Sequence, residues 1–171
     1  DGKPLDSFRL APIGRAADSN FHSWVSAFLY RVVHPFIDAS FMAIFFYVGT
    51  VFAALTIIPA FFIGRIITKN NVGGFFTAML LAVSAFFVQR TTGESSDTDV
   101  YAVFFPVLIF WLFLEALEAK NMKYKLFWIS GAAFATGLFA YAWSGWWYIA
   151  VFILASLAVY VVYFLITERK V

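Results

Sequence analysis

Leu126-Phe-Trp-Ile-Ser-Gly-Ala-Ala-Phe-Ala-Thr-Gly-Leu-Phe-Ala-Tyr-Ala-Trp143-Ser144-Gly145-Trp146-Trp-Tyr148 opens an uncharged stretch that continues to Thr167. As one helix, at about 1.5 Å per residue, it would be roughly 60 Å long, twice the ~30 Å hydrocarbon thickness of a bilayer. It must fold back on itself. The corner is expected at Trp143-Ser144-Gly145-Trp146, where Ser-Gly suits a turn and tryptophan suits the membrane–water boundary. The stretch therefore supplies two spans, over 126–143 and 146–167.

Three more apolar runs lie upstream. The first, 41–64, is closed by Arg65 and Lys69, and Pro59 is expected to kink it. The second, 72–89, opens with Gly73-Gly74 and ends at Arg90. The third, 99–118, contains Pro106, expected to interrupt its helix, and ends with Glu115 and Glu118 on one face. Residues 41–171 thus read as an all-α polytopic transmembrane helix bundle of about five spans.

Composition agrees with that class. The chain is 63% hydrophobic, 22% aromatic and 13% charged, where soluble domains are roughly 45–50% apolar and about 25% charged. A net charge of +2 is too small to suggest nucleic acid, and the absence of cysteine removes disulfide and thiolate chemistry. The chain opens on Asp1 with no signal-peptide pattern, so it is expected to be a piece of a longer protein.

Residues 1–40 mix charges with Pro and Gly and read as a solvated segment outside the membrane. Within it, Trp24 to Val33 is apolar but too short to cross. It suits a helix lying at the interface, with Trp24, Tyr30 and Arg31 at headgroup depth, or one packed on the rest of the protein. Arg65 and Lys69, then Lys120, Lys123 and Lys125, then Arg169 and Lys170 all fall on one side of the expected spans. The positive-inside rule makes that side cytoplasmic. The N-terminal segment, the loop after Arg90 and the Trp143 corner then face outward together, although the N-terminal segment carries basic residues of its own.

That loop, Arg90-Thr-Thr-Gly-Glu94-Ser-Ser-Asp97-Thr-Asp99, sets one arginine and three carboxylates between apolar runs. Ionisable groups at a membrane boundary mark candidate sites. Asp97 and Asp99 are two apart, which on a helix would splay them by about 200°, so they can share an ion only on irregular backbone. Carboxylates there, with Ser95, Ser96 or Thr98 nearby, suit a hard divalent cation such as Mg²⁺ or Mn²⁺. Alternatively the aspartate caps the next helix and Arg90 complements the end of the previous one. The two roles are compatible. Other candidates are weaker: His22 and His34 read as interfacial histidines rather than ligands, and Glu115 and Glu118 beside Lys120 as a solvated face.

Arg90-Thr followed by Asp97-x-Asp99, at the outer end of a span and before an apolar helix, resembles the second acidic motif of oligosaccharyltransferase catalytic subunits. Gly137-Leu-Phe-Ala-Tyr-Ala-Trp143-Ser144-Gly145-Trp146-Trp147-Tyr148 resembles that family's aromatic corner between its fifth and sixth spans. Asn20-Phe-His-Ser-Trp and Ile57-Ile-Pro59 resemble the end of its first external loop and its second span. Asp1-Gly2-Lys3-Pro4 and Ala11-Pro-Ile-Gly14 fit the middle of that loop in archaeal members. The resemblance covers the whole chain and implies spans two to six of a longer membrane enzyme. Such enzymes transfer a glycan from a polyprenyl (dolichyl) phosphate carrier to the asparagine of Asn-x-Ser/Thr in an acceptor polypeptide. It implies Mn²⁺ or Mg²⁺ held by Asp97 and Asp99, Arg90 and Trp143 beside the phosphate-bearing substrate, and an outward-facing active site. The partners implied are the lipid-linked glycan, the acceptor polypeptide, membrane lipid, and the remaining spans and soluble domain of the same enzyme.

Departures accompany the match. Glu94 stands where the family commonly has glycine, adding a possible third carboxylate. Neither the family's first acidic motif nor its Trp-Trp-Asp-Tyr-Gly acceptor motif occurs here, so the catalytic residues of the first motif are expected outside this chain. The alternatives are another polyprenyl-phosphate-sugar glycosyltransferase, or a transporter lined by Arg90, Glu94, Asp97 and Asp99. Transport usually puts ionisable groups at mid-membrane, and none is found there.

Two outcomes are expected. A tag inserted near Asn121 should be protected with the cytoplasm and one near Ser95 accessible from outside, and labelling of both from the same side would break the span count. Residues 1–171 alone, given Mn²⁺, a polyprenyl-linked glycan and an Asn-x-Thr peptide, should yield no glycopeptide, since half a preorganised site does not give half a rate.

Overall fold

The computed structural model describes residues 5–6, 15–16, 21–91 and 98–168. It is an all-α bundle, preceded by a two-residue antiparallel ladder of β1 (Leu5–Asp6) with β2 (Arg15–Ala16). The helices are α1 (Phe21–Val33), α2 (Phe41–Thr68), α3 (Asn71–Ala82), α4 (Ala85–Thr91), α5 (Tyr101–Glu118), α6 (Met122–Ala142) and α7 (Trp147–Glu168). A single 3-10 turn, Thr98–Val100, leads into α5. By length and apolar composition α2, α5 and α7 suffice to cross a membrane.

Where lipid is the solvent, backbone groups must be satisfied within the helix, and side-chain hydroxyls find a partner on the same helix too. Ser26, Thr56, Thr68, Thr77, Thr91, Thr136, Ser156 and Thr167 each donate to the carbonyl four residues back, at 2.7 to 2.9 Å. The polar residues of these helices are thereby made compatible with an apolar surround.

Local sequence sets the boundaries. Ser40 caps α2 by accepting from the amide of Ala43, Asn70 caps α3 through Val72, and Asn121 caps α6 through Lys123. α2 runs past the expected stop at Gly64 and ends at Lys69, which adopts a left-handed conformation with φ of 54°. α3 begins two residues later, at Asn71, so α2 and α3 form a tight hairpin. Their approach depends on small residues: a Cβ on Gly74 would lie 2.7 Å from the carbonyl oxygen of Phe61.

Two expectations are corrected. The run 72–89 is not one helix. It breaks at Val83-Ser84, where the Val83 amide turns back to Leu81 and Met79, and resumes as α4. Pro106 does not interrupt its helix but lies inside a continuous α5, and Pro59 lies inside α2. The expected corner is present, since α6 ends at Ala142 and α7 starts at Trp147.

α1 packs on α2 and α6 with His22 and Ser26 inward. His22 and Ser26, one turn apart, are buried, while Trp24 and Phe28 are 63% and 65% exposed. His22 is therefore a buried residue and not an interfacial one. The core lies where α5 meets its neighbours, with Val100, Tyr101, Phe105 and Ile109 of the α5 edge against Phe139 and Ala135 of α6, Ala53 of α2 and Ile149 of α7. Aromatic edge contacts knit it: Tyr101 meets Phe21 at 5.1 Å and Phe52 at 5.0 Å, and Phe105 stacks on Phe139 at 5.5 Å.

The hairpin gives a direct test. Gly74→Ala must displace the backbone of α2 and should destabilise the protein by about 1–3 kcal/mol. Gly49→Ala, where a Cβ meets nothing within 4 Å, should be tolerated. Unfolding in mixed micelles measures both, and equal stability of the two variants would contradict the packing.

Candidate functional site

The two ends of the bundle differ. At one end Lys69 pairs with Glu118 at 2.7 Å and the indole of Trp111 donates to Glu115 at 3.1 Å. The C-terminal ends of α2 and α5 therefore lie together, and these two helices run parallel. The opposite end holds the start of α5, the end of α4, the corner between α6 and α7, and α1.

Asp99 sits at this second end, in the 3-10 turn before α5. It lines a cleft of about 260 Å³ with Phe86, Ala102 and Val103. The residue after it, Val100, is buried, and Tyr101 is completely so. The carboxylate is thus carried at the edge of a core that fixes its backbone. Val100 occupies the N-cap of α5 and its side chain makes no capping bond. Asp97 and Glu94 lie outside the described residues, as does the side chain of Arg90, whose backbone belongs to α4. Among the described residues no three His, Asp or Glu side chains gather as a metal site. Asp99 supplies one hard oxygen donor of the kind Mg²⁺ or Mn²⁺ takes.

Three links fix this end. His22 Nδ1 lies 2.8 Å from the Tyr101 hydroxyl, joining α1 to the first residue of α5. Thr50 of α2 donates to the carbonyl of Thr91 at 3.5 Å, beside the end of α4. The hydroxyl of Tyr148, in the first turn of α7, donates to the carbonyl of Ala102 at 2.8 Å. The third follows from chemistry. In an α-helix that carbonyl would accept from residue 106, but Pro106 has no N–H. Tyr148 supplies the donor that proline withholds, which helps explain how α5 continues through it.

Trp143, expected beside substrate, is half-buried at the corner. Its ring is nearly parallel to Phe139 at 5.9 Å and edge-on to Tyr148 at 5.9 Å. It also lies over Gly145, where any side chain would collide with it. Asp99 and Trp143 accordingly share one end of the bundle, joined through Tyr148 and Ala102. Sequence reasoning gave Tyr148 no role of its own and read His22 as an interfacial histidine. The available signals were Pro106, which leaves a carbonyl to be satisfied, and the pairing of His22 with Ser26 one turn apart.

Residues 2–171 match the family described as oligosaccharyl transferase STT3, N-terminal. The chain belongs to the STT3 oligosaccharyltransferase family. A dolichyl-phosphooligosaccharide-protein glycotransferase of Methanococcus voltae is 31% identical over 163 residues, 94% of this chain and 18% of that relative. An STT3B subunit of dolichyl-diphosphooligosaccharide–protein glycosyltransferase from Arabidopsis thaliana is 30% identical over 118 residues, 69% of this chain and 15% of its own. The undecaprenyl-diphosphooligosaccharide–protein glycotransferase of Campylobacter jejuni is 26% identical over 150 residues, 86% of this chain and 19% of its own. The chain thus spans less than a fifth of the length of these relatives. No solved structure matches it. These relatives are named for glycosyl transfer to protein, not for transport.

Proposed function

We propose that this chain forms part of the membrane-embedded catalytic subunit of an oligosaccharyltransferase. The enzyme moves an oligosaccharide from a polyprenyl (dolichyl) phosphate carrier to asparagine in Asn-x-Ser/Thr of an acceptor polypeptide. The observation that carries this reading is the family match across residues 2–171. The placement of Asp99 and the Trp143 corner at one end of the bundle supports it.

Transfer joins the asparagine amide nitrogen to the anomeric carbon of the first sugar. The bond from that carbon to the carrier phosphate oxygen breaks, and the amide releases a proton. Asp97 and Asp99 would hold a divalent cation, Mn²⁺ or Mg²⁺, which when bound supplies Lewis-acid stabilisation of developing charge. Asp99 is suited to this by its place on a short turn backed by buried Val100 and Tyr101. Arg90 would stand beside the phosphate-bearing substrate, with Glu94 a further acidic group of the same loop. Trp143 would face the carrier's phosphate and first sugar. The site opens outward, because Arg65, Lys69, Lys120, Lys123 and Lys125 cluster around the loops at the other end.

In the full-length enzyme, Asp97→Asn should lower divalent-dependent glycan transfer by about two orders of magnitude or more while expression is retained. The assay is glycopeptide formation at limiting Mn²⁺. Wild-type turnover by this variant would reduce the loop to a helix cap.

A further inference from the structure

Pro106 leaves the Ala102 carbonyl without its helical donor, and the Tyr148 hydroxyl replaces it at 2.8 Å. The carbonyl belongs to the second residue of α5, three positions after Asp99 and on the cleft that Asp99 lines. The donor comes from the first turn of α7, directly after the Trp143 corner. Tyr148 is itself held by rings, meeting Phe139 edge-on at 6.0 Å and Trp143 edge-on at 5.9 Å, while Phe139 is completely buried. Its hydroxyl therefore sits on a rigid support.

We propose that Tyr148 is a positioning residue for the Asp99 turn, acting through the carbonyl that Pro106 leaves open. This inference rests on the reading of Asp99 as a ligand of a divalent cation. Without the hydroxyl, the Ala102 carbonyl has no helical N–H and loses the one side-chain donor that reaches it from another helix. The first turn of α5 then shifts to find a donor, and Asp99 moves with it. On the other side of the same turn, Tyr101 is anchored by His22. The start of α5 is thus held from both α1 and α7, and Trp143 contributes to the site by fixing Tyr148.

The proline makes the idea testable by compensation. Pro106→Ala returns an N–H to the Ala102 carbonyl, so the hydroxyl of Tyr148 becomes dispensable. Two readouts are taken on the purified full-length enzyme: Mn²⁺ binding without substrates, from the electron paramagnetic resonance signal of free Mn²⁺, and glycopeptide formation as Mn²⁺ is varied, with a polyprenyl-phosphate-linked glycan and an Asn-x-Thr peptide at saturation. Tyr148→Phe should raise the half-saturating Mn²⁺ concentration about tenfold, with kcat at saturating Mn²⁺ changed by less than about threefold. The Pro106→Ala/Tyr148→Phe double variant should return to within about threefold of the Pro106→Ala single variant. Ser156→Ala, which removes a hydroxyl bonded only to its own helix, serves as the control and should leave both parameters unchanged.

If Tyr148→Phe does not accumulate by itself, it is read in the Pro106→Ala background. Recovery there supports the shared carbonyl, and continued loss overturns it. A Tyr148→Phe enzyme with wild-type Mn²⁺ dependence, beside an Asp99→Asn enzyme whose dependence has changed, overturns the positioning role alone. An Asp99→Asn enzyme with unchanged Mn²⁺ dependence overturns the cation reading, and this inference with it.

Discussion

In an apolar surround every backbone carbonyl needs a donor from the protein, and each exception must be met by a side chain. Helices meet the demand by repetition, and the back-bonded serines and threonines extend the rule to their hydroxyls. Pro106 is a local exception, which Tyr148 answers from another helix. The first turn of α5 depends on that contact, and Asp99 depends on the first turn. A structural requirement of the membrane has in this way become a tie between the two segments of the proposed site.

The aromatic core makes the tie stiff. Tyr101, Phe105 and Phe139 have virtually no exposed surface. Rings bring large apolar area with few rotatable bonds, so an edge contact holds orientation as well as position. Phe21 touches Tyr101, Phe105 and Phe52 at 5.1, 5.5 and 6.0 Å, which ties α1 to α2 and α5. Polar links between helices then complete the end of the bundle that bears Asp99.

α1 buries two polar residues and exposes two large apolar ones. Its inner face carries His22 and Ser26, and its outer face Trp24 and Phe28. In water that arrangement would leave apolar surface exposed and polar groups buried. At a bilayer, burial suits the residues with partners to find, and exposure suits those with none. A histidine in such a segment is therefore a candidate for interhelical hydrogen bonding, which His22 makes with Tyr101.

The sequence by itself determined the all-α class and the corner at Trp143 to Trp146, because charge spacing, span length and local turn chemistry are written along the chain, and its motifs carried the resemblance to the family. It also marked Asp99, through the cost of placing carboxylates between apolar runs. Tertiary structure alone decided the break at Val83-Ser84, which no proline or glycine announces, and the passage of α5 through Pro106. It likewise decided that His22 reaches Tyr101 and that Tyr148 reaches Ala102, pairs separated by 79 and 46 residues. Local propensity extends over a few residues, whereas the partner of a buried polar group is chosen by which helices pack together.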